Sequence, residues 1–105
     1  MRILEFEVDG QTIRKKPECD FSNIVAGTSG FLRAKFSFSS EWRGCLKAAS
    51  FWRGKKEYPV LLDRNACDIP PEALVGATFR VSVLGKNGDF RIPTNSVLVK
   101  QEVTR

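Results

Sequence analysis

Histidine is missing altogether, and methionine and tyrosine occur once each among 105 residues. Without histidine the chain lacks the usual general base, the commonest metal ligand and the side chain that ordinarily changes charge near neutral pH. No Ser-His-Asp or Cys-His nucleophile can be assembled. The three cysteines, Cys19, Cys45 and Cys67, are an odd number and widely spaced, which fits neither CxxC zinc spacing nor a fully paired disulfide framework. We read them as reduced thiols of a reducing compartment, the alternative being one bridge and a spare thiol. Gly85-Lys86-Asn87-Gly88 is too short for a phosphate loop and lacks its Ser/Thr. No pair among the twelve acids is singled out for glycoside hydrolysis. The expectation is a protein that is not an enzyme and has no cofactor or metal.

Long apolar runs are missing too. No stretch approaches the roughly 20 residues of a membrane span, and the start, Met-Arg-Ile-Leu-Glu-Phe-Glu, carries acids where a signal peptide would be uninterruptedly apolar. This predicts a soluble protein with no membrane partner, made and kept in a cytoplasm or released by lysis. What is present is a composition that folds: 42% hydrophobic, 28% charged, eight Phe and two Trp. The length suits one core, so residues 1–105 are expected to form a single domain.

The net charge of +5 is unevenly spread. Residues 1–30 hold four bases against five acids, and residues 57–105 hold six of each. Between them, Arg33, Lys35, Arg43, Lys47, Arg53, Lys55 and Lys56 face only Glu41. Such an excess suits phosphate, an acidic protein partner or plain solubility.

Leu4, Phe6 and Val8 alternate with Glu5 and Glu7, the period of a strand wet on one face. Asp9-Gly10 then predicts a hairpin. From Pro17 to Gly30 the chain reads as a loop with at most one short strand at Ile24-Val25. In Phe31 to Phe38, Leu32, Ala34, Phe36 and Phe38 point one way and Arg33, Lys35 and Ser37 the other. Leu46 to Trp52 is extended with a less clean alternation, and Arg53 to Lys56 closes it with a charged turn. Pro59 assigns the strand from Tyr58 to Leu62 to an edge, or itself to that strand's start. Pro70 to Leu74 predicts one helical turn, and Phe79, Val81 and Val83 another strand. A turn at Lys86 to Asp89 and an extended run from Val97 to Val103 finish the chain. Seven or eight short strands without a long helix predict an all-β fold, a single antiparallel β-sandwich.

The run Ala34-Lys-Phe-Ser-Phe-Ser-Ser-Glu-Trp-Arg-Gly-Cys-Leu-Lys-Ala-Ala-Ser-Phe51 resembles a pattern in small tail- and baseplate-associated proteins of tailed bacteriophages. There a strand is followed by F, S/D, E-W-x-G and L-x-K-x-A-x-F. The order downstream fits as well: Asp68-Ile-Pro70, Ala73-Leu74, Phe79 to Gly85, and Arg91-Ile-Pro-Thr-Asn95. Pro71 departs from the pattern, standing where a Trp frequently follows the proline. The resemblance covers about residues 30 to 100. It implies an Ig-like or baseplate-protein-like sandwich in a phage or prophage structural module, present in the host cytoplasm during infection and in the virion if structural.

The leading expectation is a virion tail or baseplate component acting by protein-protein contact with other phage structural proteins, a host protein or further copies of itself. Trp42, Arg43, Trp52 and Arg53 are candidates for an exposed anchor set, because Trp and Arg dominate interface energetics; Trp42 as a plug beneath a hairpin is the competing assignment. Arg33, Lys35, Lys55 and Lys56 extend the candidate surface. A second reading is a small inhibitor of a host defence nuclease, of the anti-CRISPR type, using the basic middle segment. A third is single-stranded nucleic-acid binding, since the bases of that segment interleave with Trp42, Phe51, Trp52 and Tyr58.

Overall fold

Alternating apolar and polar residues build the architecture of this computed structural model, which describes residues 1–103. The chain runs β1 (Arg2–Asp9), β2 (Thr12–Lys15), β3 (Leu32–Phe38), β4 (Leu46–Arg53), β5 (Lys56–Leu61), β6 (Ala66–Asp68), β7 (Thr78–Asn87), β8 (Phe90–Pro93) and β9 (Val97–Lys100). Two short 3-10 turns, Ser40–Trp42 and Pro71–Leu74, are the helical elements among the described residues. One sheet has the order β2-β1-β3-β6, and the other has the order β5-β4-β7-β8, with β9 also paired to β7. The fold is thus the expected all-β, two-sheet arrangement.

Two details depart from expectation. β1 and β3 are parallel, with Arg2 opposite Leu32 and Val8 opposite Phe38, whereas a wholly antiparallel sandwich was predicted. Parallel neighbours need a long connection, and the hairpin strand β2 plus the loop that follows it supply one. Arg2 holds that loop by donating to the carbonyls of Asp20 (2.9 Å), Ser22 (2.6 Å) and Asn23 (3.1 Å). Among the described residues nine strands replace seven or eight because the last part of the chain forms two, β8 and β9, which pair with opposite ends of β7. Between them Thr94 and Asn95 leave the sheet. Thr94 Oγ1 accepts the Val83 N–H (2.9 Å), while Asn95 Oδ1 accepts the Ile13 N–H (2.9 Å) on the other sheet.

The core lies between the sheets. Leu4, Phe6, Val8, Leu32, Ala34 and Phe36 face Ala49, Phe51, Phe79, Val81, Val83 and Val99, all buried. Each large apolar side chain removed from water contributes roughly 1.5–3 kcal/mol. Phe6 stacks on Phe36 with 5.3 Å between centroids, an arrangement worth a further increment beyond area.

Trp42 closes one end of this core with no exposed surface. Its indole Nε1 donates to Gly10 O at 2.8 Å, and its ring meets Phe38 at 5.0 Å. The β1–β2 turn is tied to the same segment twice more: Gly10 N–H donates to Ser39 Oγ (2.8 Å) and Ser39 N–H to Val8 O (2.9 Å). Beneath the ring lies Gly85, where a Cβ would stand 2.8 Å from two ring carbons. The glycine is required by this approach and not by its backbone angles.

Several strand edges are interrupted rather than open along their length. Leu62 N–H donates to Lys47 O at 2.9 Å, a register that turns the backbone groups of Leu61, Pro59 and Glu57 away from β4. Pro59 therefore removes a donor from the middle of the free edge, where proline is tolerated and blocks pairing. The edge of β2 is occupied at its start by Asn95, which also donates its N–H to Gln11 O (3.1 Å). β6 is only three residues long, and β8 ends in Pro93.

Candidate interaction surface

The two outer faces of the sandwich are finished differently. On the four-stranded sheet the outward charges are Glu5, Glu7, Asp9 and Asp68 against Arg14, Lys16, Arg33 and Lys35, with Ile3 half exposed at the start of β1. Arg33 Nη1 lies 2.7 Å from Asp68 Oδ1, Arg14 Nε 3.3 Å from Glu7 Oε1, and Lys16 Nζ 3.6 Å from Glu5 Oε1. Exposed pairs like these add little stability. They do leave that face electrically balanced.

The five-stranded sheet carries a different outer face. Across its strands run Leu61, Ala48, Leu84 and Pro93, with Leu46 beside them. Leu46 is 67% and Leu61 63% exposed, and a small hollow of about 90 Å³ opens between them, Ala48 and Leu84. The bases at outward strand positions are Arg80, Lys86, Arg91 and Lys100, and the one acid is Glu57. Glu57 accepts a hydrogen bond from the Ser50 hydroxyl. Trp52 lies half-buried at the far end of the same face, its Nε1 donating to Ser82 Oγ at 3.1 Å, with Arg80 as its cross-strand neighbour. A hollow of about 270 Å³ runs from Trp52 past Arg80 and Ser82 to Thr94 and Ser96.

The residues singled out from sequence are therefore dispersed. Trp42 as an exposed anchor is overturned, because Gly85 makes room for its ring and Gly10 O takes its N–H. It is the plug. Arg43 stays exposed beside it, on the rim of a hollow of about 240 Å³ shared with Lys47. Lys47 Nζ sits 5.2 Å from the centroid of the Phe38 ring, so part of the basic excess is spent within the fold. Trp52 is on the less balanced face, and Arg53, Lys55 and Lys56 project from the adjoining β4–β5 turn. Arg33 and Lys35 are on the opposite sheet among carboxylates. The basic middle segment does not form one patch. Leu46, Leu61, Leu84, Arg80, Lys86 and Arg91 were not singled out. The signal for the aliphatic group was the untidy alternation of β4, where Leu46 and Ala48 are apolar on the parity opposite to Ala49 and Phe51.

Two exposed carboxyls are held below their ordinary range by hydrogen bonds, Asp20 chiefly by the Ser22 hydroxyl and Glu41 chiefly by that of Ser39. Both bonds order turns. Burial pushes the Cys67 thiol up to about 12. The folded protein keeps this proton above pH 9, where the unfolded chain releases it. This thiol leaves stability unaffected below about pH 9 and lowers it by up to about 1.4 kcal/mol per pH unit from there to about pH 12. In a thiol titration at pH 8, the part-exposed Cys19 and Cys45 are expected to react in the native protein and Cys67 only after denaturation. Three fast thiols would contradict this packing.

No protein-family model, curated protein or solved structure matches this chain. No helix among the described residues is long and apolar enough to cross a membrane.

Proposed function

We propose that this chain is a non-enzymatic contact protein of a tailed bacteriophage, a tail or baseplate component that associates with other proteins through the outer face of its five-stranded sheet. The observation that carries this reading is the contrast between the two outer faces. One carries mostly paired charges with Ile3 half exposed among them, and the other exposes Leu46 and Leu61 more fully among unpaired bases. Exposed aliphatic groups rimmed by polar residues are a mark of protein contact. Strand edges interrupted by Pro59, Pro93 and Asn95 favour a face as the place of contact.

The tail assignment is supported by the resemblance of residues 30 to 100. The residues that carry it include Trp42, Gly85, Thr94 and Asn95, which join the two sheets here. A motif made of such residues would travel with the fold. The test is quantitative mass spectrometry of gradient-purified, nuclease-treated particles. The expected result is this chain at a copy number comparable to known tail proteins. Absence from particles despite expression in infected cells would overturn the virion role and direct the search to an intracellular target.

A further inference from the structure

Resting on that protein-contact reading, we propose that the partner surface seated on the five-stranded sheet is aliphatic at its centre and carries carboxylates at its margin. Leu46, Leu61 and Leu84 would fill the aliphatic part, and Arg80, Lys86, Arg91 and Lys100 would meet the carboxylates.

Charge makes the choice between occupants. Arg80, Lys86, Arg91 and Lys100 stand at outward strand positions of this face against Glu57 alone, and no carboxylate lies within ion-pair distance of any of them among the described residues. Lys86 and Arg91 are cross-strand neighbours next to Leu46, so two like charges stand side by side at the apolar end. Like charges directly opposite destabilise a sheet on their own. A carboxylate-bearing partner would relieve that repulsion.

A second copy of this chain is disfavoured by the same arrangement. A two-fold contact sets a surface against itself. The copies would bring four bases and one acid against four bases and one acid. The opposite, charge-balanced face is no better complement, since its carboxylates already face Arg14, Lys16 and Arg33. Electrostatic complementarity of the proposed kind acts mainly on association rate and partner choice.

The test uses a photo-cross-linking amino acid placed at Leu61, at Lys35 on the opposite face, and at Lys55 in the β4–β5 turn, each in the full chain expressed during infection. Adducts are mapped to the peptide level by mass spectrometry. The expected result is a heteromeric adduct from position 61 and none from position 35, with Asp or Glu in or next to the linked peptide. Reversing two charges, Lys86→Glu with Arg91→Glu, is expected to reduce that adduct at least tenfold while the melting temperature stays within a few degrees. A 61–61 adduct between copies, an adduct indifferent to the charge reversal, or a linked peptide without acids would overturn the partner chemistry. Adducts from position 35 or 55 with position 61 silent would overturn this face but leave protein contact standing. Silence at all three would overturn the contact reading itself.

Discussion

Replacing Trp42 with alanine is expected to destabilise the protein by about 3–5 kcal/mol, the range for emptying a large buried aromatic site. The whole stability of an ordinary domain is about 5–15 kcal/mol, so the variant should be near the limit of folding at 37 °C. Three losses add up at this position. The ring leaves a void between Phe38 and Gly85, the contact of 5.0 Å with Phe38 disappears, and the Gly10 carbonyl loses its indole donor. The β1–β2 turn would keep its bonds to Ser39 and, through Gln11, those to Pro93 and Asn95. Trp42→Phe keeps most of the volume and removes the N–H, so it should lose less. Thermal unfolding followed by circular dichroism reads both. A fall in Tm of more than about 12 °C for Trp42→Ala is expected from the usual dependence on domain size. A shift of one or two degrees would mean that the ring is not the plug of the core.

Gly85→Ala attacks the same contact from the other side. The added methyl would lie 2.8 Å from Cε3 and Cζ3 of Trp42 and 3.1 Å from Cγ2 of Ile92. Neither side can give cheaply: the indole is anchored through Gly10, and the glycine's own strand β7 is held between β4 and β8. Overpacking of a filled core costs about 1–3 kcal/mol, and a rigid ring against a central strand places this variant at the upper end. The double variant separates sterics from backbone. Once Trp42 is alanine the new methyl has space, so the penalty of Gly85→Ala should shrink by at least about 1 kcal/mol, a coupling expected only of residues in contact. Additive losses would show that Gly85 serves some other purpose.

Much of the fold can be read from local pattern. β1 and β3 alternate cleanly because one face of each meets the core, and the turns at Gly10, Gly54 and Gly88 all have positive φ, as their positions between strands require. Pro59 identified an edge for a reason of chemistry, its missing donor. The parallel pairing of β1 with β3 could not be read, because it depends on the route of the loop that Arg2 pins by three carbonyls. Local pattern places strands but not their neighbours.

The candidate surface was harder to read for the same reason. Trp42 lies in a polar turn, Ser-Ser-Glu-Trp-Arg-Gly, and its burial is decided by a glycine on β7. Arg33 looked like part of a basic patch until Asp68, brought in by β6, neutralised it. The exposed leucines were disguised by apolar residues on both parities of β4, which blur the period that marks an inner face. A basic sequence segment and a basic surface are different things when the segment spans two sheets.

On the proposed reading, Trp42 maintains the fold while the outer face of the five-stranded sheet makes the contact. This reading is tested most directly by the copy number of Leu61→Asp protein in purified particles relative to wild type, with Lys35→Glu protein measured alongside. Leu61→Asp protein is expected to fold with an unchanged melting temperature and to be depleted from particles at least tenfold, while Lys35→Glu protein assembles normally. Wild-type incorporation of Leu61→Asp protein would contradict that reading.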